Sequence, residues 1–309
     1  DNPGQLRKTI HLLFAMTLLL SLNGILQYFR GYDIAGQTAY EGRIRWIGIF
    51  SDPNDLGLTI LAFTPLAVIN LLNGKNSAPR RILWGIAMAV LVYALYLTNS
   101  RGTFIGLLAI LIFVMCKRIG LARGLVVGII LGSLLLVAGP SRMSDMSIDE
   151  ASASGRIDAW ATGLNLLLWR PILGVGFHNF TEHHHLTAHN SVVLCMSELG
   201  LVGLYVWLLL IYSSFRDMAI VQKYARGTEF ATYAELMQLS LAGFFVSAFF
   251  LSRTYNEVLY IIIAVCTLLS YYARDRFGYS QHLFPVRLLI QTLVFMIGLI
   301  AAIKVLVML

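Results

Sequence analysis

The segment RLLIQTLVFMIGLIAAIKVLVM, residues 287–308, decides the fold class. Between Arg287 and Lys304 it holds no charge, and its length is that of a helix crossing a hydrocarbon core of about 30 Å. Eight further apolar runs extend from it through the chain, at 9–29, 55–72, 81–99, 102–117, 121–139, 190–212, 233–252 and 255–273. The chain is 58% hydrophobic and 13% charged, with a mean hydropathy of +0.73. A soluble domain lies nearer half apolar and a quarter charged. The expectation is an all-α polytopic membrane protein of about nine transmembrane helices, with residues 1–309 as a single membrane-embedded domain. The chain opens at Asp1 on a short polar stretch that leads directly into a span, which reads as a longer protein lacking its N-terminal spans.

The net charge of +7 does not indicate nucleic acid, because the basic residues sit in short loops between spans. One alternating set of loops holds Arg7, Lys8, Lys75, Arg80, Arg81, Lys117, Arg118, Arg123, Arg216, Lys223, Arg226, Arg274, Arg276 and Arg287. These are assigned to the cytoplasm. The opposite loops hold Arg30, Arg43, Arg45, Arg101, Arg142, Arg156, Arg170 and Arg253, and no lysine. A planar guanidinium binds phosphate through two parallel hydrogen bonds, whereas an ammonium is a point charge. An outer face with arginine alone therefore suits a lipid-linked diphosphate; the competing reading is that several of these arginines pair with outer carboxylates such as Asp52, Asp149 or Asp158. Cys116, Cys195 and Cys266 lie in apolar runs at no motif spacing and read as small core residues.

The polar interlude from Arg156 to Gly203 holds most of the chemistry, since polar groups beside a bilayer are costly unless they serve something. SGRIDAW (154–160) reads as a helix start capped by Ser154, with Arg156 in its first turn and Pro171 ending the helix. PILGVG (171–176) reads as a glycine turn. EHHHLTAHNS (182–191) contains four histidines, but consecutive residues diverge in direction, so the His183–His185 run has poor metal-ligand spacing. His189 stands just before a helix that Asn190 or Ser191 would cap. At helical spacing it shares a face with Val193, Met196, Gly200 and Gly203, whose glycines would admit another helix. Histidine is the natural general base near neutral pH.

Three further motifs lie outside that interlude. SDPNDLGL (51–58) has a cap reading, with Asp52 as N-cap, Pro53 at the first helical position and Asp55 in the first turn, and a metal reading through Asp52 and Asp55. TNSRGTF (98–104) places Arg101 beside a helix N-terminus near Gly102 that Ser100 could cap, an arrangement suited to an anion. LSRTYNE (251–257) puts Arg253 in a short outer turn, where it binds substrate or pairs with Glu257.

Together, NSRG at the outer end of a span, the Arg156–Trp160 helix, the PxxGxG turn and HNSxxxxxxELGLxG resemble the O-antigen ligase and polymerase superfamily, over about Ser51–Tyr212. SDPND further resembles the O-glycosylation ligases found beside exosortase systems. The resemblance implies a multi-pass glycosyltransferase of the bacterial inner membrane, with its active site facing the periplasm. The donor would be a glycan on undecaprenyl diphosphate, and the acceptor lipid A-core, a protein or a second glycan, with no cofactor and no metal. Membrane lipids would be the other partners. By the same resemblance Arg101, Arg156 and His189 are catalytic, and Arg101, Arg156 and Arg253 bind the diphosphate. The loop at 140–189 would carry part of the site. These groups are expected to converge on one cavity open to the outer leaflet. A polymerase using a second lipid-linked glycan is the nearest alternative. A transporter of an anionic lipid-linked substrate is the alternative from another class, though inverted repeats and charged mid-membrane helices are not evident.

Overall fold

The computed structural model describes residues 3–74, 76–138, 146–280 and 284–308, with backbone alone at 3, 49, 134–138 and 146–154. Arg142 lies outside the described residues. The described residues form ten α-helices: α1 Pro3–Arg30, α2 Pro53–Leu72, α3 Ala78–Thr98, α4 Arg101–Ile119, α5 Leu121–Ala138, α6 Met146–Trp169, α7 Ser191–Tyr224, α8 Glu229–Ala248, α9 Glu257–Phe277 and α10 Val286–Met308. Each of the nine apolar runs coincides with a helix, and α6 is the tenth. Seven helices, α1 to α4, α7, α9 and α10, are long and apolar enough to cross a membrane. The protein is a polytopic helical membrane protein.

The chain divides into two compact units. The first comprises Asp1–Ser144, Met218–Ser247 and Glu257–Gly278. Its centre is α2, buried along most of its length, which is why that helix is apolar on every face. Asp52 caps α2 by accepting the Asn54 N–H at 2.7 Å, Pro53 occupies the first turn and Asp55 follows. The cap reading of this motif therefore holds.

Small residues bring the helices of this unit together. Gly124, Gly128 and Gly132, spaced by four, lie along α5 against Cys116, Ile112 and Leu108 of α4, and side chains at the first two would overlap their neighbours. Lipid tails are as apolar as leucine, so spans associate by close packing rather than by a hydrophobic drive, and small residues permit it. Two serines of α8 bond the backbones of neighbouring helices. Ser240 Oγ donates to the Ala62 carbonyl of α2 at 2.5 Å, and Ser247 Oγ donates to the Gly102 carbonyl of α4 at 2.9 Å.

Arg43, one of the arginines assigned from sequence to the outer loops, is structural. Its Nε donates to the Thr98 carbonyl at 2.8 Å and its Nη2 to Asn54 Oδ1 at 2.9 Å, tying the 31–52 segment to the ends of α2 and α3. At the other end of this unit, Arg7 pairs with Glu229 at 3.2 Å, and Lys117 donates to Gln222 at 2.9 Å. Arg7 and Lys117, both assigned to the cytoplasmic loops, thus meet elements at the start of α8 and just before it.

The second unit comprises Asp145–Asp217, Ala248–Asn256 and Tyr279–Leu309. Here α6, which packs on α10, corrects one expectation. It starts at Met146, so Ser154 lies inside the helix rather than capping it, and Arg156 sits in its third turn. The sequence upstream explains this: Asp149 and Glu150 suit the positive end of a helix dipole, and Ala151 and Ala153 propagate it. The helix ends before Pro171, as expected.

Candidate active site

Helix α7 is broken at Gly200, where φ is 66° and ψ is −166°. The PILGVG turn is spliced into the break. The carbonyls of Ser197 and Glu198 accept the N–H groups of Val175 and Gly176, both at 2.9 Å. The N–H groups of Leu201 and Val202 donate to the carbonyls of Pro171 at 2.8 Å and Ile172 at 3.3 Å. A helix break inside an apolar protein is tolerated when the freed backbone groups find partners, and these four bonds supply them.

Both glycines at the splice are required. Gly174 and Gly200 have φ of +69° and +66°, and a Cβ at Gly174 would overlap the backbone of Glu198, one at Gly200 the carbonyl of Ile172. The continuous helical face expected from His189 to Gly203 therefore does not exist. The element that approaches Gly200 is a turn, not another helix, and a Cβ at Gly203 would meet Leu199 of the same chain.

Beside the break lies Glu198, 2% exposed. Its Oε1 accepts the Phe180 N–H at 3.0 Å and its Oε2 accepts the Tyr255 hydroxyl at 2.7 Å. One carboxylate thus joins three segments: α7, the turn after PILGVG and the 251–256 turn that carries Arg253. The sequence reading did not single out Glu198, although a lone acid within an apolar run is the signal for such a residue.

The histidine motif is fixed from several sides. Trp160 Nε1, one helical turn beyond Arg156, donates to the Ala188 carbonyl at 3.0 Å. Asn190 caps α7, as expected, with Oδ1 accepting the N–H groups of Val192 at 2.8 Å and Val193 at 3.2 Å. Ser191 Oγ donates to the Leu251 carbonyl at 2.6 Å and accepts the Arg253 N–H at 2.7 Å. Between these anchors His189 is half-buried with a φ of 48°, a left-handed conformation that non-glycine residues seldom adopt. The chain segments of Arg156, His189 and Arg253 are therefore gathered around residues 188–191. Arg156 and Arg253 are themselves half-buried.

His184 does structural work. His184 Nε2 meets Asp158 Oδ2 at 3.1 Å and its Nδ1 meets the Leu186 backbone at 3.0 Å, so the acid nearest Arg156 in sequence pairs with a histidine instead. His183 stands edge-on to Trp169. Among the described residues, no group of three or more His, Cys, Asp or Glu side chains is placed to hold a metal.

Arg101 belongs to the first unit, where it is the half-buried first residue of α4. The helix starts one residue earlier than the sequence suggested. Ser100 occupies the cap position but its side chain makes no capping bond, contrary to expectation. Its Oγ is buried without a hydrogen-bond partner, next to the N–H groups that open α4.

Residues 86–208 match the family model described as O-antigen ligase, a stretch that holds Arg101, Arg156, His189, Glu198 and both splice glycines. This match supports the O-antigen ligase/polymerase superfamily. The chain is also similar to proteins named "Putative polysaccharide ligase" in two Rickettsia species. It is 27% identical to that of Rickettsia typhi over 53% of this chain and 46% of the relative, and 28% identical to that of Rickettsia bellii over 64% and 53%. The chain spans about half the length of the curated relatives it matches.

Proposed function

We propose that this O-antigen ligase-like protein transfers a glycan from undecaprenyl diphosphate to an acceptor hydroxyl, at the periplasmic face of the bacterial inner membrane. In this reaction the acceptor oxygen bonds the anomeric carbon of the donor sugar. The bond from that carbon to the diphosphate breaks, and its electron pair leaves on undecaprenyl diphosphate. His189 takes the acceptor's proton, help that is typically worth about 10²–10⁴-fold. Arg156 and Arg253 stabilise the charge developing on the leaving diphosphate, as preorganised donors do in a site shielded from water. Arg101 is assigned to diphosphate binding on its local setting, a guanidinium at a helix start beside the buried Ser100 hydroxyl.

The observation that carries this reading is the gathering of the Arg156, His189 and Arg253 segments around residues 188–191. The test is release of undecaprenyl diphosphate by the purified protein given a lipid-linked glycan and an acceptor. His189→Ala is expected to lower turnover by about 10²–10⁴-fold and Arg156→Ala by about 10²–10³-fold. Near-parental turnover in both would overturn the assignment. Products made with lipid A-core, protein and glycan acceptors would separate a ligase from a polymerase.

A further inference from the structure

The second unit carries another surface that the proposed reaction does not use. Helix α6 ends in Leu168 and Trp169, and the following turn continues through Arg170, Pro171, Ile172 and Leu173. Leu168 is 80% exposed and Leu173 71%, and Trp169 and Ile172 are also exposed. Large apolar side chains in such succession mark a contact surface rather than a wet one. In the same unit α6 packs on α10, an apolar helix long enough to span a membrane. A bilayer is therefore close at hand to cover this surface.

The turn also forms a cavity of about 640 Å³, lined by Trp169, Arg170, Ile172, Val175 and His183 among others. The Arg170 guanidinium lies over the indole of Trp169, 4.9 Å from its ring centre, and His183 meets that ring edge-on at 5.8 Å. Among the described residues no carboxylate pairs with Arg170. Two nitrogen-bearing side chains thus share one aromatic wall, with bare apolar side chains beside them.

We propose that this turn is a second binding site, for a phosphate-bearing membrane lipid. Arg170 and His183 hold the headgroup phosphate, and the adjoining acyl chain lies along Leu168, Ile172 and Leu173. The guanidinium fork matches a phosphate through paired hydrogen bonds. Trp169 has the amphipathic ring favoured at the headgroup level. Arg170 stacked on that ring keeps its charge toward the headgroups while its stem covers apolar surface. The site is separate from the His189 junction and does not depend on the transferase reading.

The experiment uses the full chain in detergent, with fluorescence of Trp169 isolated by subtracting the signal of Trp169→Phe. Phosphatidylglycerol and phosphatidylcholine with brominated acyl chains are titrated in turn. The Trp169 emission is expected to be quenched by both, and by the anionic lipid at a roughly fivefold lower lipid fraction, the preference that one cation near a membrane surface supplies. Arg170→Gln is expected to abolish the preference while leaving quenching by phosphatidylcholine in place, and Arg170→Lys to retain part of it. Sodium phosphate at equal concentration is expected not to restore emission. Emission that neither lipid quenches would overturn the proposal, as would equal quenching of parent and Arg170→Gln by phosphatidylglycerol. Recovery of emission with sodium phosphate alone would replace the lipid site by one for the free anion.

Discussion

Ser191 and Trp207, sixteen positions apart on α7, both bond Thr254: Ser191 through its carbonyl, which accepts the Thr254 hydroxyl at 2.8 Å, and Trp207 through its indole N–H, which donates to the Thr254 carbonyl at 3.2 Å. A straight helix would separate the two residues by about 24 Å at 1.5 Å per residue. The break at Gly200 folds the first part of α7 back, so that the 251–255 turn sits in the crook. The same turn also bonds the first part of α7, through the Tyr255 hydroxyl to Glu198 and the Arg253 N–H to Ser191.

The splice predicts where glycine cannot be replaced. Gly200→Ala and Gly174→Ala should each destabilise the protein by about 3 kcal/mol or more, through a positive φ and a blocked close approach together. Gly298→Ala, in α10 with open space around it, should be neutral or slightly stabilising. Thermal unfolding in detergent would check all three, and equal melting of Gly200→Ala and Gly298→Ala would contradict the broken helix.

Removal of the Glu198 carboxylate should leave the buried Phe180 N–H and the Tyr255 hydroxyl without an acceptor. Glu198→Ala is expected to cost about 1–3 kcal/mol, and Tyr255→Phe less. Because the two side chains touch, their effects should not add. A double-mutant cycle on unfolding that gave strict additivity would show that the bond is not made.

The arginines should sort by readout. Arg43→Lys loses a two-pronged clasp on Thr98 and Asn54, so stability should fall by about 1–2 kcal/mol while turnover per folded molecule stays near parental. Arg156→Lys should do the reverse, with turnover falling at least tenfold and the melting temperature holding. Turnover assays beside melting curves would reveal an exchanged pattern if the assignments are wrong.

Asp52 should behave as a cap. Asp52→Asn preserves an acceptor for the Asn54 N–H and should be nearly silent, whereas Asp52→Ala should cost about 1 kcal/mol. Release of undecaprenyl diphosphate should be unaffected by EDTA. Inhibition by EDTA that magnesium reverses, together with inactivity of Asp52→Asn, would restore the metal reading of Asp52 and Asp55.

Much of the molecule is written in local pattern. Runs such as 287–308 specify spans because backbone groups in lipid must be satisfied within the helix, whatever else surrounds it. The Asp52 and Asn190 caps were legible for the same reason: a cap bonds its own next two or three residues. The start of α6 was not, because Ser154 has the chemistry of a cap yet helix-forming residues precede it. The glycines of α5 recur at a spacing of four, which the sequence reading passed over, because only the facing residues on α4 give that spacing meaning.

Sequence by itself determined an all-helical membrane protein, the motif order shared with O-antigen ligases, and His189 and Arg156 as residues to test. Tertiary structure alone decided that Gly200 breaks α7, that Glu198 clasps Phe180 and Tyr255, that Arg43 is a structural staple and that Asp158 pairs with His184. The physical reason is range. Helix propensity, capping and hydropathy act over a few neighbours, whereas each of these four arrangements depends on groups eleven to fifty-seven positions apart, and it takes the folded chain to bring such partners within bonding distance.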